Sequence, residues 1–556
     1  MQELEVPVLI VGGGPVGLLG AFLLGRRGIG VLVAEKHPAR LDAPKAHALN
    51  PRSLEICAAA GLPMAELHQL ATPTAEGAMV RFTTTLAGEE LGALPYERQD
   101  EAVRELTPWP LINIEQPRFE ALVERAASQL ADVEIRRGLE WLSCDELGGV
   151  VISTLLDRQT GEKVKVRSRY LIATDGAGSN VRDHLGIPMD GPEVLQSNMM
   201  IHFEADLRPI VGERPGILYF LFGPGQNGVF IAYDIGRTWV FMHPCTYDAR
   251  IEDMDEATCR AIVTEAVGAP APDLKIRGVR SWVMSAQVAR RYRSGAVFLA
   301  GDAAHRFPPT GGLGLNTGIS DIDNLAWKIA ALEQGWAAPD ILASYDAERR
   351  PVAQINMGQS LVNALRIRTL QEALGYGSGQ TVEAEVFSAR LTDPDSRAKV
   401  DAAIAYQGDH FDSLRLQLGF AYGDALVADG TLPVSEFTPK AVPGARLPHL
   451  PLTDGRSNLD LLALDGFTIL AADGGERWSQ FCADIAAPVR FMLERRDFVV
   501  AGGDLASRMS LSPGSALVVR SDGHILSVIQ RAGDENVALD EIARFARVGA
   551  TVGGMA

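Results

Sequence analysis

Near the amino terminus, Gly12-Gly13-Gly14-Pro15-Val16-Gly17 sets glycines at the spacing G-x-G-x-x-G. That spacing suits an anion. The first glycine permits a tight turn, the second lets the backbone approach a pyrophosphate, and the third lets a helix pack closely on a strand. A helix starting there aims free N–H groups and a partial positive charge at the anion. Glu35 follows at the distance where an acid accepts hydrogen bonds from a ribose. Two later segments end in similar groups. One is Thr174-Asp175-Gly176-Ala177-Gly178-Ser179, followed by Asn180-Val181-Arg182. The other is Gly301-Asp302, which runs through Pro308-Pro309-Thr310 into a glycine-rich stretch ending at Gly318. Such a backbone can turn N–H groups toward a polar ring edge, and Asp302 suits a hydroxyl. A decoy, Gly223-Pro224-Gly225-Gln226-Asn227-Gly228, lies between strand-like runs with no helix after it. Its turn formers read as a β-hairpin, leaving one dinucleotide site.

These groups need elements to hold them. Val6 to Val11 reads as a buried strand, Leu18 to Arg27 as a helix beneath a sheet, and Val31 to Ala34 as the next strand. Tyr170 to Thr174 and Ala296 to Ala300 read as further strands, and Ile319 to Glu333 as a helix. The fold class expected is α/β, with a Rossmann-like nucleotide-binding domain made of 1–75, 108–190 and 285–375. Segments 76–107 and 191–284 are expected to form an inserted β-sheet substrate domain, because the second alternates polar and apolar residues as a half-exposed sheet does. Residues 376–439 read as a linker with local helix. From 440 to 556, strand-like runs at Phe467 to Ala472, Arg495 to Ala501, Ala516 to Arg520 and Ile525 to Ile529 alternate with helical patterns, predicting a small α/β unit.

Composition narrows the class. A formal net charge of -18 over 556 residues argues against a nucleic-acid partner. The five cysteines include no C-x-x-C pair. This spacing predicts no disulfide framework and no metal site, and fits a reducing cytoplasm. No run of about twenty uncharged apolar residues suggests a membrane span or a signal peptide.

The glycine turn, the Thr174–Ser179 segment and the Gly301–Gly318 segment, in this order, resemble the class A flavoprotein monooxygenases of the p-hydroxybenzoate hydroxylase fold. The segments Ala46-His47-Ala48-Leu49-Asn50-Pro51-Arg52, Phe203-Glu204-Ala205-Asp206-Leu207 and Pro443-Gly444-Ala445-Arg446-Leu447-Pro448-His449 resemble the 2,4-dichlorophenol and phenol hydroxylase branch. The resemblance covers nearly the whole chain. It implies bound FAD, with NADPH or NADH as a transient reductant. It also implies O2 and a phenol-like substrate, hydroxylated through a flavin C4a-hydroperoxide. A thioredoxin-like C-terminal domain used in a homodimer or larger homo-oligomer is implied as well, without a redox role because it contains only Cys482.

Residue by residue, the resemblance implies that Gly12, Gly14, Gly17 and Glu35 hold the ADP half of FAD. Asp175 and Gly176 serve FAD and the nicotinamide, with Arg182 nearby, and Asp302 holds the ribitol. Gly314, Leu315 and Asn316 meet the isoalloxazine edge through their backbones, and Gln116 contacts FAD. Lys45 stands where the family usually has arginine, so it keeps the charge but loses the bidentate fork. His47 is the candidate general base for a phenol, since histidine titrates near neutral pH. Tyr219 is expected to hydrogen-bond the substrate hydroxyl or line its wall. The Pro309 carbonyl is expected near the reacting site. His243 and His305 read more readily as structural. Two alternatives stay open: another FAD oxidoreductase (an oxidase, Baeyer–Villiger enzyme or epoxidase), and a non-catalytic FAD-fold binding protein.

Overall fold

A computed structural model describes residues 2–40, 45–246, 251, 254–377, 381–423, 433–531 and 534–546. Parts of the expected units, 41–44 of the nucleotide-binding domain, 247–250 and 252–253 of the substrate domain, 378–380 and 424–432 of the linker and 532–533 and 547–556 of the C-terminal unit, therefore lie outside the described residues. Among those residues no helix is long and apolar enough to cross a membrane.

The first sheet is built on parallel strands in the order Val297–Leu299, Lys163–Ala173, Gln2–Val11, Val31–Glu35 and Val133–Arg137. Ile10 pairs with Ile172 on one side and Val33 on the other. A central parallel strand is covered on both faces, and Val8, Leu9 and Ile10 are fully buried accordingly. The helix Pro15–Gly25 is apolar on nearly every side because it lies between the sheet, the helix Leu313–Glu333 and the helix Gln116–Ser128.

The second sheet has seven strands, ordered Lys275–Met284, Gln196–Glu204, Thr238–Cys245, Gln226–Asp234, Leu218–Gly223, Met79–Thr83 and Glu90–Pro95. The decoy glycines do form a hairpin: Gly223 pairs with Gln226 across a turn in which Gly225 has φ +74°. Alternation divides this sheet. Leu218, Phe222, Ile231, Tyr233 and Val240 share one core with the helices of residues 343–405. Tyr219, Leu221, Phe230, Trp239 and Phe241 face the other core, under the helix Glu256–Val267. The stretch read as a linker is part of the first of these cores. Phe387, Val400, Ile404 and Phe411 are buried in it, and the helix spacing of Val400 and Ile404 carries that face.

The third sheet is ordered Val489–Leu493, Phe467–Ala471, Ala516–Arg520 and Ile525–Ile529, with a parallel pair followed by two antiparallel steps. The helix Asp534–Ala543 packs on the last strand. One expected strand is displaced. Arg495 to Ala501 is not a strand; the chain pairs earlier, at Val489–Leu493. The Asp497 carboxylate accepts from the Leu493 N–H, and Arg495 adopts φ +67°, so residues 493–498 turn.

This unit joins the first through buried charges. Arg520 donates to both oxygens of Glu348 at 2.7 and 3.0 Å, and pairs with Asp522. Lys328 donates to Glu348 at 2.7 Å. Arg52 donates to the Asp522 carbonyl at 2.5 Å and lies 3.3 Å from Asp323. Arg446 pairs with Glu55 at 2.5 Å.

Candidate active site

The three glycine segments converge. Gly12 has φ +106°, and a Cβ there would lie 2.4 Å from the Thr174 carbonyl oxygen. A Cβ on Gly17 would lie 2.1 Å from the Gly12 carbonyl oxygen. Both contacts exclude any larger residue, so the first turn presses directly on the Thr174–Asp175 segment. A Cβ on Gly318 would meet Val16 at 2.7 Å and the Gly301 Cα at 3.0 Å, which brings the third segment to the same place. Glu35 accepts from the Gly13 N–H and the His37 N–H, each at 2.7 Å, at the tip of its strand.

The helix Leu313–Glu333 begins at Gly312, in the left-handed conformation and with no side-chain cap. The first-turn N–H groups at Leu313, Gly314 and Leu315 therefore have no intrahelical or capping partner. Asn316 fastens this end to the segment holding His47. Its Oδ1 accepts from the Asn50 N–H at 2.9 Å and from the Ser53 hydroxyl at 2.7 Å; its Nδ2 donates to the Ala48 carbonyl at 3.1 Å. At the other end of that segment the Ala46 N–H donates to Gln116 Oε1 at 3.1 Å, and Gln116 Nε2 donates to Glu120. Lys45 and Asp302 have exposed side chains. Pro309 is exposed, and its carbonyl accepts from the Gly312 N–H at 3.1 Å.

His47 sits inside this frame. Asn113 Nδ2 donates to the Gly77 carbonyl, so Oδ1 of that amide faces His47 Nδ1 at 3.0 Å. The proton is thereby assigned to Nδ1, leaving Nε2 as an acceptor. Tyr96 lies 5.5 Å from the imidazole between ring centroids and Tyr233 lies 6.3 Å away. Burial, partly offset by the Asn113 hydrogen bond, pushes the His47 pKa down to about 4. A base titrating near neutrality was expected. In this setting the imidazole is neutral at pH 7 and serves as a hydrogen-bond acceptor.

Three other expected residues lie differently, and two histidines lie as expected. Tyr219 does not join the site: it occupies the far face of the second sheet, and its hydroxyl donates to the Arg214 carbonyl at 2.9 Å. The Asp175 carboxylate turns inward, accepting from Ser179 Oγ at 2.5 Å and the Val181 N–H at 3.2 Å; burial raises its pKa against those bonds. Of Asp175, it is the backbone Cα that borders the Gly12 turn. Arg182 is buried and braces two turns, donating to the carbonyls of Ala177 and Ala303. His243 bonds the Asn227 carbonyl on the far face, and His305 bonds Asp321 in the core, so both are structural.

Sequence reasoning missed Tyr96, Asn113 and Tyr233. Tyr233 was accessible from alternation, because it shares parity with Ile231 and opposes Phe230. Tyr96 and Asn113 carried no local signal, since long-range pairing brings them in.

The family described as FAD binding domain matches residues 5–360. The 2,4-dichlorophenol 6-monooxygenase of Cupriavidus pinatubonensis is 30% identical over 557 residues, covering 94% of this chain and 93% of that protein. The tetracenomycin B2 monooxygenase-dioxygenase of Streptomyces olivaceus is 32% identical over 546 residues, covering 94% and 95%. The crystal structure of the flavin-dependent monooxygenase PieE in complex with FAD and substrate superposes with a TM-score of 0.89 at 31% identity, covering 98% of this chain and 99% of PieE. The chain belongs to the class A FAD-dependent aromatic monooxygenases.

The monooxygenase is thus a flavoprotein hydroxylase that takes its oxygen atom from O2. Its own residues fit FAD. The Gly12 turn leaves room for no side chain, Cβ atoms on Gly14 and Gly314 would meet nothing within 4 Å, and the helices Pro15–Gly25 and Leu313–Glu333, which begin at these glycine turns, have no side-chain cap. At these turns a ligand can approach the backbone closely. FAD supplies the hydride acceptor for NAD(P)H and the chemistry that activates O2. The protein supplies orientation, proton control and exclusion of water.

Proposed function

We propose that this monooxygenase hydroxylates a phenolic ring held between the inner face of the second sheet and the N-terminus of helix Leu313–Glu333. One observation carries the reading. The neutral His47 imidazole, with Nε2 as acceptor, has the Tyr96 and Tyr233 rings beside it, and its neighbour Ala48 is tied through Asn316 to that helix end; Ala48, Tyr96 and Tyr233 lie in one apolar wall with Leu218, Phe222, Ile231 and Val240. A phenol ring suits the wall, and its hydroxyl suits the acceptor. A hydrogen bond to Nε2 draws the phenol proton outward and makes the ring more electron-rich, as attack by an electrophilic oxygen requires.

In this reading Glu35 binds the adenosine ribose, Asp302 the ribitol and Lys45 the pyrophosphate. Gln116 steadies the 45–47 segment against FAD. Gly12, Gly14, Gly17, Gly314 and Leu315 offer backbone contacts, and the Pro309 carbonyl borders the reacting atoms. The units are 1–75 with 108–190 and 285–375, then 76–107 with 191–284, then 440–556. Residues 376–439 belong with the substrate unit, as burial of Phe387, Val400 and Ile404 supports. NADPH or NADH as reductant, a homodimer or larger homo-oligomer and a cytoplasmic setting complete the proposal; the free cysteines fit that setting.

The test is a panel of one-ring and fused-ring phenols, scored for stimulated NADPH and NADH oxidation and for product mass. A phenol that accelerates oxidation and gains one oxygen supports the reading. A purified yellow protein that oxygenates no phenol, but oxygenates ketones or alkenes, overturns it.

A further inference from the structure

The Asn113 amide is committed at both ends. Its Oδ1 lies 3.0 Å from His47 Nδ1, and its Nδ2 donates to the Gly77 carbonyl at 3.1 Å. A flipped amide would set Oδ1 against the Gly77 carbonyl oxygen, acceptor against acceptor. Gly77 leaves no slack for a shift, since a Cβ there would lie 2.9 Å from Asn113 Nδ2. The Asn113 backbone is fixed as well. It pairs with Ala48 across a two-stranded ladder, its carbonyl accepts from the Thr72 N–H at 2.7 Å, and the next N–H, of Ile114, donates to the His47 carbonyl at 2.7 Å. Asn113 is buried, whereas His47 is half-buried, with its bonded nitrogen facing that buried partner.

Elsewhere the chain gives a histidine a carboxylate. His305 Nε2 lies 2.8 Å from Asp321, and His524 Nδ1 lies 3.6 Å from Asp522. A carboxylate favours the imidazolium; an amide of the same shape accepts the same N–H and lends no charge. The other neighbours of His47 are neutral too. The Tyr96 and Tyr233 rings flank it, and burial holds both hydroxyls protonated, well above the ordinary pKa. Charges near these residues in the chain are engaged elsewhere or exposed: Glu97 is bound by Ser413 and Gln417, Glu115 pairs with Arg118, and the Lys45 side chain is exposed. Burial therefore disfavours a charged imidazole with no counter-charge to oppose it.

We propose that Asn113 is the positioning residue that holds His47 in the Nδ1–H tautomer, so that Nε2 stays an acceptor for the phenol proton. This rests on the phenol reading above. The side chain at 113 decides the matter. Asparagine supplies an acceptor for Nδ1–H and a donor for the Gly77 carbonyl at once. Leucine, of similar size, supplies neither. Aspartate supplies the acceptor together with a charge. Gly77 ends the helix Thr74–Gly77, from which the chain enters the strand Met79–Thr83 of the second sheet. One amide thus ties the imidazole to the sheet that carries the apolar wall, and the proton position on His47 depends on that contact.

The experiment uses the FAD-loaded full chain with histidine labelled in nitrogen-15 and carbon-13, and a phenol from the panel that the wild type hydroxylates. The signals missing from His47→Gln identify His47. In the wild type they are expected to show a protonated Nδ1 and a bare Nε2 throughout roughly pH 6 to 9. Asn113→Leu is expected to move them toward the Nε2–H form and to slow hydroxylation about 10-fold, with FAD affinity kept within about twofold. Asn113→Asp is expected to return the Nδ1–H signal and most of the rate at high pH. It should also add a limb on which hydroxylation falls below about pH 7, as His47 gains a second proton at Nε2, which the wild type lacks. A merely structural Asn113 would lower the rate equally at every pH in both variants and leave the His47 signals in place. That result, or a wild type carrying its proton on Nε2, overturns the assignment. Should Asn113→Leu fail to fold, the wild-type spectrum and the pH profile of Asn113→Asp decide. A wild type that hydroxylates no phenol strikes the phenol reading instead, while the spectra report the tautomer independently.

Discussion

Charge is handled in opposite ways at two borders of the nucleotide-binding layer. At the joint with the C-terminal sheet, Arg520, Glu348, Asp522 and Lys328 are buried, and each is engaged by another member of the group. On the side proposed to hold the cofactor, Lys45 and Asp302 have exposed side chains. A buried charge without a counter-charge is prohibitively costly, so the joint is closed on itself. An exposed charge at a strand tip keeps its hydration and can exchange it for a ligand. The comparison separates charges that assemble the protein from charges proposed to recognise a ligand.

Breaking the joint has the largest expected effect. Arg520→Met leaves Glu348 and Asp522 buried with too few partners, and the chain should lose about 3–5 kcal/mol of stability in urea unfolding of the FAD-loaded protein. An unchanged midpoint would show that the joint carries no such weight. In the groove the cost should fall on ligand binding. Gly12→Val meets both an adverse φ and the Thr174 carbonyl, and FAD affinity should drop by about 100-fold or more in a fluorescence titration. Asp302→Ala should reduce FAD affinity by roughly 10-fold while leaving the apoprotein's unfolding midpoint in place. A parallel loss of stability would erase the distinction between the two borders.

Acid titration sharpens the contrast through two carboxyl groups. Burial alone would raise Glu348, but Arg520 and Lys328 outweigh it and hold the pKa down to about 2. Its contribution is present above the unfolded value of 4.5 and is lost as pH falls toward 2. Glu97 goes the other way, pushed up by burial to about 7 against its hydrogen bonds from Ser413. Its contribution is present below 4.5 and is lost as pH rises through about 7. Glu97→Gln should flatten the second slope and leave the first, as urea midpoints across pH would record. The smallest effect is expected at His47. With a pKa of about 4 its protonation does not change near neutrality, so the shape of the wild-type rate profile over roughly pH 6 to 9 should survive in His47→Gln, while hydroxylation slows and FAD stays bound.

The glycine turns, the parallel core and the hairpin decoy were legible in sequence because each rests on residues within a few positions of one another. The strand tips at Glu35 and Asp302 were legible for the same reason. The substrate side was not. Tyr219 and Tyr233 are both strand tyrosines, and only the face on which each lands tells them apart; choosing Tyr219 required knowing which face meets the helices of residues 343–405. Asp175 and Arg182 sit in a recognisable segment, but their side chains satisfy local backbone, which motif spacing does not reveal. His47 was found from its surroundings in sequence. Its depressed basicity depends on Asn113, 66 residues away, and on burial that only the assembled fold provides.

The reach of Arg52 to the Asp522 carbonyl has a consequence for biogenesis. A chain is synthesised from its amino end, so the helix carrying Arg52 emerges 470 residues before its acceptor. Glu348 and Lys328 likewise precede Arg520. On the ribosome the nucleotide layer holds ionic groups whose final counterparts, at 520–522, have not yet been translated.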